Sequence, residues 1–159
     1  MKKKHLAISS AQKKMAFFCA YQERSKEEIK LKLKKCNLTH SQNQIILDWL
    51  ESHQFINDER FARNFSRSRF YNKGWGKEKI IFSLREKNIP ENLIKKALEE
   101  EIPLEDYKKG LKELIKSKLK NLKKPYYIKL MSFLIGRGFE EALIEEILEE
   151  KFSITPFLS

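Results

Sequence analysis

The apolar positions of this chain follow a helical pattern that returns about every fifty residues. Ile80, Leu84, Asn88, Ile89, Leu93, Ile94 and Leu98 map fifty positions onward to Leu130, Leu134, Gly138, Phe139, Leu143, Ile144 and Leu148. Fifty-one positions back stand Ile29, Leu33, Asn37 and Leu38, followed after two extra residues by Ile45 and Trp49. Asn37, Asn88 and Gly138 each close a helical pattern and precede a large apolar side chain. That is the mark of a left-handed residue ending a helix. Ser25-Lys26-Glu27-Glu28 reads as a capping box that opens one, and Pro90 and Pro125 suit first-turn positions.

These signals predict helices near 11–23, 26–36, 41–52, 58–72, 77–87, 90–100, 104–122, 125–136 and 140–151. The fold class is therefore all-α, with three tandem three-helix repeats over 11–53, 54–102 and 103–152 and flexible ends at 1–10 and 153–159. One such unit buries a single face only modestly. Stacking of apolar sides between neighbours predicts an elongated array, open to curvature.

Composition supports helix. Of 159 residues only 5 are Gly and 4 Pro, while 41% are hydrophobic, enough for a core. No apolar run reaches the length of a membrane span, and Met1-Lys2-Lys3-Lys4-His5 leads into polar residues, so a cytoplasmic protein without a membrane partner is expected. Cys19 and Cys36 lack CxxC spacing and read as reduced, small apolar side chains.

Charge sharpens the picture. The net +11 is distributed as +8 over 1–36, −2 over 37–57, +5 over 58–90, −4 over 91–106, +9 over 107–137 and −5 over 138–159. Every third element is acidic and the rest are basic, which predicts one basic surface facing an anionic partner. On a helical wheel Arg60, Arg63 and Arg67 oppose Phe61, Ala62, Phe65 and Ser66, and Tyr71 ends the arginine stripe. Lys109, Lys112, Lys116 and Lys120 form a comparable row opposite Tyr107, Leu111, Leu114 and Ile115. Either row is a candidate grip on phosphates or carboxylates, or simply a solvated helix face. Lys73-Gly74-Trp75-Gly76-Lys77 precedes a helix start and reads as a phosphate seat or as a turn with Trp75 buried between repeats. It is not a nucleotide-binding P-loop, because the first glycine and the Ser or Thr after the lysine are missing.

No catalytic constellation emerges. His5, His40 and His53 have no ligand spacing for zinc, no cofactor motif is present, and Asp58 with Glu59 point about 100° apart on a helix, where Asp58 serves better as an N-cap or first-turn acid.

The stretch Phe55-Ile56-Asn57-Asp58-Glu59-Arg60-Phe61-Ala62-Arg63 resembles the signature of the RecX family, bacterial regulators of the RecA recombinase. Arg24-Ser25 with Leu33, Gly76-Lys77 with Ile80 and Leu84, and Arg137-Gly138-Phe139 extend the likeness over about 11–150. Where the family commonly ends its first two middle helices with Lys-Gly, this chain has Cys36-Asn37 and Lys87-Asn88. The resemblance implies three three-helix repeats and a non-catalytic, monomeric regulator that binds RecA and the RecA–DNA filament and restrains its growth. Single- or double-stranded DNA alone would be the weaker partner. Two other readings start from the same charge: a general DNA-binding helical module, or a nuclease using scattered carboxylates.

Overall fold

Local capping chemistry and apolar spacing together set nine α-helices in the computed structural model, which describes residues 1–124 and 126–157. The first unit holds α1 (Lys2–Tyr21), α2 (Lys26–Leu33) with a 3-10 turn over Lys34–Cys36, and α3 (His40–Ser52). The second holds α4 (Asp58–Tyr71), α5 (Lys77–Glu86) and α6 (Glu91–Glu101). The third holds α7 (Leu104–Leu119), α8 (Tyr126–Gly136) and α9 (Glu141–Phe152). No strand occurs among the described residues, and the chain is all-helical in repeated three-helix order.

The predicted caps account for most boundaries. Ser25 and Glu28 exchange the two hydrogen bonds of a capping box at α2. Thr39 and Gln42 form a second box at α3 that the sequence reading missed. Asn37, Asn88 and Gly138 all adopt positive φ, at 52°, 54° and 90°. Pro90 stands at the N-cap of α6 rather than inside its first turn, and Pro125 lies outside the described residues. α1 departs most from expectation: residues 2–10, expected as a flexible end, are helical. They contain no Gly or Pro, and extending a helix already nucleated costs little. Ile8 packs on the core while Leu6 remains exposed.

The core divides unequally. Met15, Ile29, Leu33, Ile46 and Leu50 close a core belonging to the first unit. The second and third units share one continuous core, in which Tyr107 stacks on Phe139 and meets Phe70 at a tilt, with centroids 5.2 and 5.6 Å apart. Gly110 makes room for Phe70, since a Cβ there would stand 2.7 Å from the ring. Polar contacts join the first unit to the second: Asp58 accepts the Lys26 N–H at 3.0 Å, and Lys87 reaches Glu28 at 3.2 Å. No hydrogen bond or ion pair among the described residues joins the first unit to the third, as an array of neighbours requires.

Candidate cationic interface

The arginine row of α4 is engaged by acidic partners, with Arg60 and Arg63 half-buried and Arg67 exposed. Arg60 grips the Glu23 carboxylate through Nε and Nη2 at 2.9–3.0 Å and donates to the Gln54 carbonyl at 3.0 Å. Arg63 Nε and Arg67 Nε donate to opposite oxygens of Glu101, both at 2.7 Å. Glu101 is the acidic residue that the fold buries, at 8% exposure. Burial alone would raise its pKa, but the two guanidinium groups outweigh that and hold it below the ordinary carboxylate range. A carboxylate in the last turn of α6 also opposes the helix dipole, so the cations answer two penalties at once. The row read as free from sequence is thus committed to holding α4 on α6 and on the first unit. Tyr71, at its end, donates to Asp106 of the third unit at 2.7 Å.

The expected phosphate seat before α5 is also occupied. The N–H groups of Gly76 and Glu78 donate to the carbonyls of Arg137 and Gly138, at 2.7 and 3.0 Å, and that of Lys77 donates to the Tyr107 hydroxyl at 3.0 Å. Tyr107 in turn donates to Glu140, and burial together with that bond pushes its own pKa up. An incoming anion would have to displace the third unit. Asp58 and Tyr107 play equivalent parts: each, from the first helix of one unit, receives an N–H at the start of the preceding unit's second helix. The Lys77 ammonium lies over the Tyr107 ring at 4.6 Å, while Lys73 is exposed in the turn.

Of the α7 row, Lys109, Lys116 and Lys120 are exposed and Lys112 is half-buried. Lys116 pairs with Glu113 on its own helix at 3.2 Å, and Lys109 borders a groove lined by Phe70, Tyr71, Gly110 and Leu114.

Six other cations share one setting, of which the sequence drew attention only to Arg24 and Arg137, as part of the family likeness. In the first unit Arg24 and Lys32 lie over the Phe18 ring at 3.9 and 3.8 Å. In the second, Arg69 lies over Phe65 and Trp75 at 4.8 and 5.1 Å, and Lys79 lies over Trp75 at 4.6 Å. In the third, Lys118 and Arg137 lie over Phe133 at 4.4 and 5.2 Å. None of the six makes an ion pair among the described residues, whereas Lys26, Arg60, Arg63, Arg67, Lys96 and Lys108 all do. Each station sits where the first helix of a unit meets the second. The last two stations join, because Arg137 Nη1 donates to the Lys73 carbonyl at 2.8 Å and Lys79 packs against Gly138.

Among the described residues no group of three His, Cys, Asp or Glu side chains is placed to hold a metal, and no helix is long and apolar enough to cross a membrane. Burial pushes the Cys19 thiol up to about 11, so it behaves as a core side chain. The molecule is thus a helical-repeat protein whose distinguishing surface is cationic.

The comparisons place it further. Residues 57–98 match the model of the family described as RecX, second three-helix domain. The chain is 30% identical over 136 residues to Regulatory protein RecX of Prosthecochloris aestuarii, covering 84% of this chain and 87% of that one. To Regulatory protein RecX of Clostridium acetobutylicum it is 28% identical over 137 residues, spanning 63% of that longer protein. A crystal structure of regulatory protein RecX superposes with a TM-score of 0.77 at 25% identity, covering 93% of this chain and 74% of the other. The chain belongs to the RecX family of regulatory proteins.

Proposed function

We propose that this chain binds the RecA recombinase and its DNA filament and mostly restrains recombinase activity in DNA repair and recombination, acting by occupancy rather than by catalysis. Family membership supports a regulatory role. The observation that carries the reading is the partition of charge. One acid in each third helix is engaged within its own unit, Glu101 by Arg63 and Arg67, Glu146 by Lys108 and Glu51 by Lys26. Among the described residues, unpaired cations remain at the three helix junctions and, as Lys109, Lys112 and Lys120, along α7. Contacts repeated over three linked units multiply through effective concentration, so weak ion pairs add to firm binding on a polymeric target. Binding across adjacent recombinase subunits would obstruct subunit addition or loosen subunit contacts.

A co-sedimentation and negative-stain electron microscopy series against the recombinase of the same bacterium tests this. The chain should pellet with filaments formed on DNA and decorate them. Pelleting with DNA alone to the same extent would instead favour the general DNA-binding reading, which draws on the same cations.

A further inference from the structure

We propose that the continuous track of Lys118, Phe133, Arg137, Lys79, Trp75 and Arg69 is itself a binding site for single-stranded DNA, the cations taking phosphates and the ring faces receiving unpaired bases. This deepens the reading above by assigning the nucleic-acid contact to one place on the second and third units.

Three observations carry it. First, these cations have no carboxylate partner among the described residues, whereas the arginines Arg60, Arg63, Arg67 and Arg85 all do. Second, they rest on rings, with the Arg69 guanidinium carbon 5.1 Å from the Trp75 centroid and that of Arg137 5.2 Å from the Phe133 centroid, so less side-chain freedom is lost when a phosphate arrives. Third, Arg69 Nε is buried without an acceptor, and Arg24 Nε at the first unit's station shares that condition. Nothing inside the fold offsets that buried edge, so the charge of the guanidinium is left to be met at its outer N–H groups, where a phosphate can reach it.

The rings decide between kinds of anion. An acidic protein surface would satisfy the cations but leave Trp75, Phe65 and Phe133, all partly exposed, without a partner. A duplex hides its base faces in its own stack. A single strand offers phosphates and unstacked bases together, the combination that positively charged grooves with aromatic side chains take up.

The test uses this chain and a fluorescein-labelled thirty-nucleotide oligo-dT, with anisotropy read over a series of salt concentrations. Two triple variants are compared: Arg69→Ala with Lys79→Ala and Arg137→Ala on the track, and Lys30→Ala with Lys95→Ala and Lys151→Ala away from it. Both remove the same charge, and thermal melts by circular dichroism confirm folding of each. The track variant should bind about tenfold or more weakly, and its log–log salt slope should shrink by about two, since each phosphate contact on a single strand contributes roughly 0.7. The off-track variant should lose no more than about threefold by the same counting. Wild-type binding should prefer oligo-dT to a duplex of equal length. Equal losses in the two variants, or undiminished binding by the track variant, would overturn the assignment. So would intact oligo-dT binding alongside lost recombinase binding, which would give the track to a protein surface. Recombinase inhibition surviving while DNA binding by the chain proves absent would remove the track and leave the regulator reading standing.

Discussion

The carboxylate of Asp58 accepts a hydrogen bond from the backbone N–H of Lys26, 32 positions earlier, at 3.0 Å. It joins the first unit to the second at a helix start, where the N–H would otherwise be orphaned. Asp58→Ala should therefore cost about 1–2 kcal/mol, in the range of a lost helix cap, while Asp58→Asn, which keeps an acceptor, should cost less. Urea unfolding of both variants reads the difference. Burial raises the Asp58 pKa despite the Lys26 bond, so the fold takes up this proton more readily than the unfolded chain and the titration of this carboxyl favours the folded state as pH falls.

At the other junction the backbones of Gly76 and Gly138 meet directly. A Cβ at Gly76 would stand 2.1 Å from the Gly138 carbonyl oxygen, which no side-chain movement relieves. Gly76→Ala should part the second and third units and cost about 3 kcal/mol, at the upper end for overpacking. Gly136, in α8, has nothing within 4 Å of the same position, so Gly136→Ala should be neutral or stabilise by about 0.5 kcal/mol. Denaturation midpoints of the two variants should move in opposite directions.

Glu101 supplies a pH signature. Its pKa is depressed in the fold, so the unfolded chain binds more protons and the contribution is present above the ordinary carboxylate range and lost as pH falls through the folded pKa. Wild-type stability should decline below pH about 4.5 more steeply than that of Glu101→Gln, measured by chemical denaturation from pH 7 to pH 3. At neutral pH the variant should melt several degrees lower, because Arg63 and Arg67 lose the carboxylate between them.

Reversing Arg63 and Arg67 together to Glu should consequently unfold the second unit rather than simply weaken binding, since three carboxylates would then crowd one partly buried place. Loss of helical signal at 222 nm before any binding assay distinguishes this from a defect of a solvated face.

Much of the fold was legible in the chain. Capping at Ser25, the left-handed ends at Asn37, Asn88 and Gly138, and the fifty-residue echo all act over short range and leave marks in short range. The arginine row was misread for a physical reason. A helical wheel shows which residues share a face but not what lies against it, and Glu101 comes to Arg63 from 38 positions away when α6 folds back on α4. The signal available was the acidic run Glu99-Glu100-Glu101 ending a third helix, which a three-helix hairpin must return to the first. The cation and ring stations left no such mark. Arg69, Trp75 and Lys79 belong to three different local structures, and Arg137 reaches them from the next unit.

The central claim is restraint of a recombinase by occupancy. Its most direct test is the single-stranded-DNA-dependent ATPase rate of the same bacterium's recombinase, measured as this chain is added to preformed filaments. The rate should fall progressively with added chain, and the variant lacking the Arg69, Lys79 and Arg137 side chains should need more protein for the same effect. An unchanged rate at a several-fold molar excess of the folded wild-type chain would contradict the account.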